Sequence, residues 1–136
     1  MVSNLSQFDE VNVLTSQAGW AWPEALRHIF KPRGVNLLMA ENAEDFVNII
    51  QKKRIHTTIV DMDSQQSDGL VVIKIIRMNY PLLPCILLTS TAGDSLLEKA
   101  LKLDVFSVIG KPVDMFILKH QLNRLFMKKY QSDIFS

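Results

Sequence analysis

The sequence has one cysteine, so no internal disulfide can form, and Cys85 lies inside the apolar run 82–88, where a buried structural thiol is expected. Charge of neither sign dominates: 15 Lys and Arg stand against 14 Asp and Glu, a net of +1. So small a net charge gives no general reason to expect binding to nucleic acid or an anionic membrane, whose nonspecific part needs clustered, uncompensated cations. No apolar run approaches the length that crosses a bilayer, and the first ten residues show no cationic stretch followed by an apolar one. The expected setting is therefore reducing and cytoplasmic. Internal repeats and low-complexity stretches are absent. The three histidines, His28, His56 and His120, are dispersed without metal-ligand spacing, and each is expected as a surface or partly buried polar group.

What is present is a chain of 136 residues, 48% apolar, the size and composition of one compact domain. Five short β-rich runs fall at about residues 11–15, 35–39, 57–61, 84–89 and 105–110, and the segments between them carry helical periodicity. Pro23 and Gly34 frame a first helix over Glu24 to Lys31. Asn42 caps a second, with Glu44 and Asp45 in its first turn and Phe46, Ile49 and Ile50 as its buried stripe. Asp68-Gly69 opens a third, stopped by Tyr80-Pro81. A fourth runs from about Asp94 to Leu103 and a fifth from about Asp114 to Tyr130. Residues 1–9 are expected as a tail, 10–130 as the domain, and 131–136 as a frayed tail or the start of a linker.

Strand and helix alternate throughout, which implies parallel strands joined by right-handed crossovers and a sheet covered on both faces. Ile59-Val60 and Cys85 to Leu88 are apolar at consecutive positions, as strands buried on both sides require. In such a sheet the ligand crevice lies at the carboxyl ends of the strands. Thr15-Ser16, Asp61, Thr89-Ser90 and Lys111 all fall at those ends, so a lone carboxylate and a lone ammonium, fifty residues apart, close two strands of one sheet.

Four segments carry a family resemblance: Thr57 to Asp63, Ser67 to Leu70, Pro84 to Ser90, and Ser107 to Pro112. Their order, with seven residues from Asp61 to Asp68, resembles the receiver domains of two-component response regulators. The resemblance covers residues 10–130 and implies a flavodoxin-like α/β fold. That is a single doubly wound five-stranded parallel sheet, order 2-1-3-4-5, with five helices in a three-layer sandwich. By matching positions, Asp61 is similar to the phosphoacceptor, Thr89 to the hydroxyl that binds the phosphoryl group, and Lys111 to the cation that pairs with it. The chemistry suits those types: a carboxylate attacks phosphorus to form an acyl phosphate, and a cation offsets charge on the equatorial oxygens. Lys111-Pro112 keeps a dipeptide that is commonly cis in the family.

Departures from the family pattern are as informative. Members carry two adjacent carboxylates after the first strand that hold Mg²⁺ together with the acceptor Asp; those positions are Thr15 and Ser16 here. Losing two of three carboxylates lowers Mg²⁺ affinity by about a thousandfold or more. Asp63 stands where the family supplies a backbone ligand, and its side chain could return one carboxylate to the rim, so metal at Asp61 and Asp63 is expected to be weak at best and no cofactor is assigned. Gln65 replaces a usual Pro, and Val108 replaces an aromatic whose rotamer reports phosphorylation; a short β-branched chain cannot make that swing. Trp20 and Trp22 flank the emptied acid positions and are expected to pack over the first helix.

On the last helix Met115, Leu118, Leu122, Leu125 and Phe126 form a core stripe, while Phe116, His120 and Met127 fall on the opposite side as a candidate interaction surface. The expectation is an atypical receiver, not an enzyme, acting as a signalling and interaction module with phosphorylation at Asp61 weakened or lost. The implied partners are a histidine kinase or other signalling protein, with pairing of two copies through the fourth and fifth helices left open, and neither nucleic acid nor membrane. The alternative is a functional receiver phosphorylated at Asp61 by a histidine kinase. A flavodoxin-like cofactor binder fits less well, because Thr15 to Gly19 only loosely meets the loop that a flavin phosphate needs.

Overall fold

The computed structural model describes residues 10–16, 21, 23–63, 69–91 and 93–136. The 1–9 segment, Trp20, Trp22, Gln65 and Asp68 lie outside the described residues. Five strands form the sheet: β1 (Val11–Ser16), β2 (Val35–Ala40), β3 (Thr57–Asp61), β4 (Cys85–Thr89) and β5 (Ser107–Gly110). They are all parallel, in the order β2-β1-β3-β4-β5. Five helices connect and follow them: α1 (Pro23–Phe30), α2 (Ala43–Lys52), α3 (Gly69–Asn79), α4 (Asp94–Lys102) and α5 (Met115–Tyr130). This is the doubly wound three-layer arrangement anticipated above.

The two faces of the sheet bury separate cores. On one, Val13, Ile59, Ile86, Leu88 and Ile109 meet Leu26 and Phe30 of α1 and Leu118, Leu122, Leu125 and Phe126 of α5. On the other, Leu14, Val60, Cys85 and Leu87 meet Phe46 of α2, Ile73 and Ile76 of α3 and Ala100 of α4. Alternation along each central strand sends successive side chains to opposite cores, which is why β3 and β4 are apolar at adjacent positions.

Local chemistry sets the helix ends. Asn42 Oδ1 accepts the Asp45 N–H at 2.9 Å to cap α2, and Asp45 Oδ2 accepts the Glu41 N–H at 3.0 Å just before the cap. Asp114 Oδ1 accepts the N–H groups of Phe116 and Ile117 to begin α5. α1 ends at Phe30, short of Lys31. The chain then tightens into a 3-10 turn through Pro32, and Gly34, at φ 66°, closes it in the left-handed region that glycine tolerates.

The remaining differences from expectation have definite causes. β5 begins at Ser107 and not at Val105, because the Val105 N–H is directed to the Ala100 carbonyl of α4 at 3.2 Å. His56 is buried at 1% exposure: its Nδ1 accepts the Asn12 N–H at 3.1 Å, and its carbonyl accepts the Tyr130 hydroxyl. The six residues after α5 do not fray. Gln131 takes a left-handed conformation, Ser132 N–H returns to the Phe126 carbonyl, and Phe135 is fully buried. The Phe135 ring stands edge-on to Phe30 and Phe126, at 5.7 and 5.0 Å between centroids. Apolar surface in this tail, folded back by the turn at Gln131, outweighs the entropy of releasing it.

Candidate functional site

Parallel strands bring all their carboxyl ends to one rim, and there the structure gathers Ser16, Asp61, Asp63, Thr89, Ser90 and Lys111. Asp61 is the last residue of β3, in register with Leu88; Thr89 ends β4, opposite Gly110; Lys111 directly follows β5 and precedes a cis peptide to Pro112. Asp61 is 7% exposed. Its Oδ1 accepts the Lys111 ammonium at 2.5 Å and the Asp63 N–H at 2.9 Å. Lys111 reaches a second carboxylate as well, Asp63 Oδ2 at 3.2 Å, and that same oxygen accepts the Ser90 N–H at 2.9 Å.

One ammonium thus serves two acids. Burial acts to lower the Lys111 pKa, but hydrogen bonds and charge from Asp61 and Asp63 outweigh it, and the ammonium is held above the ordinary lysine value. For Asp63 burial works toward a higher value, and the Ser90 amide and Lys111 together overcome it, leaving the carboxyl below the usual range.

Three of the residues singled out from the sequence have their polar groups committed elsewhere. Thr89 is fully buried at the rim, but its hydroxyl donates to the Thr91 carbonyl at 3.0 Å and accepts the Thr91 N–H at 3.1 Å. Thr15 is fully buried with its hydroxyl on the Ser16 carbonyl at 3.3 Å. Ser16 Oγ accepts the Asp61 N–H at 2.9 Å and so extends the β1–β3 pairing by a side-chain bond. This role was not visible in the sequence, where a strand-terminal serine gives no sign of its direction; nor was that of Ser90, whose backbone N–H and side chain both bond Asp63. Gly69 also belongs to the site: a Cβ there would lie 2.8 Å from Met62 Cα and 3.0 Å from the Asp61 carbonyl, so α3 starts in direct contact with the end of β3 and the turn that follows it.

A Mg²⁺ ion wants several oxygen ligands in near-octahedral array and leans on carboxylates. Here the two carboxylates already share an ammonium, Ser16 Oγ is taken by a backbone donor, and Thr15 Oγ is turned onto a carbonyl. Among the described residues no group of three or more His, Cys, Asp or Glu could hold a metal. The described residues of this rim do not fit the ion.

Phe116, His120 and Met127 are not brought to this rim. They share one face of α5 and are exposed, Phe116 at 86% and Met127 at 51%. Val108 is half-buried against the core on the α4 side. A cleft of about 730 Å³ opens at the other end of the sheet between Ile50, Arg54, Tyr80, Leu83, Lys129 and Tyr130.

The profile of the response regulator receiver domain matches residues 21–123. The chain belongs to this family. It is 32% identical over 95 residues, 65% of its length, to an NtrX-like response regulator of Rickettsia typhi. To an NtrX-like response regulator of Rickettsia bellii it is 28% identical over 86 residues. The matched stretch spans about a fifth of those proteins, 20% and 18% respectively. Among solved structures, a response regulator receiver protein from Pseudomonas putida is 26% identical with a TM-score of 0.72, covering 85% of this chain and 96% of that one. A CheY-like receiver domain from Methanospirillum hungatei reaches a TM-score of 0.78 at 16% identity, covering 89% and 97%. The protein is thus a receiver domain of two-component signal transduction. No helix among its described residues is long and apolar enough to cross a membrane.

Proposed function

We propose that this receiver works as a signalling and protein-interaction module in which metal-supported phosphorylation of Asp61 is weakened or lost. One observation supports the reading above others: Lys111 holds Asp61 and Asp63 together while Ser16 Oγ, at one of the family's acid positions, is bonded to the Asp61 backbone. Without a metal, Lys111 is the one cation among the described rim residues to offset charge developing on a transferring phosphoryl group, and that ammonium is already shared. The partner is a histidine kinase or another signalling protein, met through a standing surface that includes Phe116, His120 and Met127; the same face suits pairing of two copies across α4 and α5. The reading makes the domain a non-enzyme that acts in the cytoplasm.

A functional phosphoacceptor is favoured by one feature, the survival of Asp61 and Lys111 in contact at 2.5 Å. Calorimetric titration with Mg²⁺ separates the two. The pseudo-receiver reading expects no saturable binding at millimolar Mg²⁺; binding tighter than about 1 mM that disappears in Asp61→Asn would establish the functional receiver instead.

A further inference from the structure

We propose that the Asp63 carboxylate is the resident anion of the Lys111 pocket, seated between the Lys111 ammonium and the Ser90 amide where an incoming oxyanion would otherwise sit. This rests on the reading of Asp61, Thr89 and Lys111 as the phosphoryl-binding end of the domain. A backbone N–H and an ammonium aimed at one point make an anion seat, and here both donors meet the same oxygen: Asp63 Oδ2 lies 2.9 Å from Ser90 N and 3.2 Å from Lys111 Nζ. The two donors come from different connections, after β4 and after β5. The acid that joins them comes from a third, after β3.

The path of the chain supports the seating. Asp63 N–H donates to Asp61 Oδ1, so the turn after β3 doubles back on its own strand end, and the side chain two residues on is delivered over the pocket. Thr89, whose hydroxyl would be a third donor to an oxyanion, is bonded at both its donor and acceptor sides to Thr91 and leaves the seat to Asp63. A carboxylate tethered this way is present at high effective concentration, which a free anion at millimolar levels does not match. Charge works in the same direction: two carboxylates around one ammonium leave the pocket net negative, so an approaching oxyanion is repelled until Asp63 is removed. The consequence for signalling is that the turn after β3 and the loop after β4 are clipped together by Asp63 without phosphorylation.

The test is an amide titration of the full ¹⁵N-labelled chain with inorganic phosphate in metal-free buffer, comparing the native sequence, Asp63→Ala and Asp63→Glu. Asp63 is on the surface, so both variants are expected to fold. The Ser90 resonance should differ between the native chain and Asp63→Ala before phosphate is added, reporting loss of the bond. Phosphate should then move the Ser90 amide of Asp63→Ala saturably, with an affinity at least about tenfold above that of the native chain, and Asp63→Glu should return toward native behaviour. Equal phosphate response in native and Asp63→Ala, no response in either, or an unmoved Ser90 resonance on removing Asp63 would each overturn the proposal. Failure of the broader reading shows differently, as Mg²⁺-dependent phosphorylation of Asp61 in the native chain, which this metal-free titration does not involve.

Discussion

Lys111 has two carboxylate partners, and this decides how the pocket answers to substitution. Asp61→Asn removes a buried charge and relieves its desolvation, while Lys111 keeps Asp63; the opposing effects predict a change in unfolding free energy within about 1 kcal/mol by denaturant titration. A loss above about 3 kcal/mol would mean that the pair is an essential structural element. The acid limb is also predictable in sign. Because the Asp63 pKa is depressed below its ordinary 3.8, its contribution is present above that value and is lost as pH falls through the lower folded value. Stability measured against pH should therefore fall less steeply below about pH 4 in Asp63→Asn than in the native chain. The positions of Asp61, Thr89 and Lys111 were legible in the sequence because each follows an apolar run and the strands are parallel. The direction of their polar groups was not. Ser16 accepting from Asp61, Thr89 turned to Thr91, and Asp63 spanning to Ser90 depend on rotamers and loop paths that residue type alone leaves open.

At the scale of elements, Gly69 and the end of α5 carry the sharpest expectations. Gly69→Ala forces a Cβ against the backbone of Met62 and Asp61, so it should lower stability by about 1–3 kcal/mol and shift the Asp61 and Met62 amides, while Gly93→Ala, with open space around it, should do neither. Tyr130 anchors α5 to the start of β3 by donating to the His56 carbonyl, and burial pushes its hydroxyl up to about 12. The sign follows from a raised folded value. The contribution is full below the unfolded value near 10 and is lost as pH rises toward 12, so alkaline denaturation should show a component absent from Tyr130→Phe. That variant should also lose about 1 kcal/mol near neutral pH, measurable by urea titration. Helix and strand types were readable from periodicity, caps and the Pro and Gly breaks. The packed tail was not: Ile134-Phe135 is too short to show a period, and its burial depends on a gap between Phe30 and Phe126 that only the assembled layers create. Phe135→Ala should accordingly cost about 3–5 kcal/mol, where a free tail would show no change in thermal unfolding.

Over the whole molecule, the receiver fold is kept, and the function proposed above is that the means of switching it are altered. A modification shifts a two-state equilibrium only through contacts that differ between the states. On the proposed reading, Thr15 and Ser16 stand in place of the metal-binding acids, Val108 stands in place of a swinging aromatic that would report the event, and Asp63 occupies the donors that a phosphoryl group would use. The architecture was legible because alternating elements admit few topologies, and so was the lack of any carboxylate at Thr15 and Ser16. How the emptied corner is filled was not, since it depends on contacts between three separate connections. The most direct measurement of the central claim is to incubate the chain with acetyl phosphate and millimolar Mg²⁺, then record its intact mass and amide spectrum. The account predicts the unmodified mass and an unchanged spectrum. A phosphorylated product that is abolished by Asp61→Asn, with amide shifts spreading from Asp61 to α4 and α5, would contradict it.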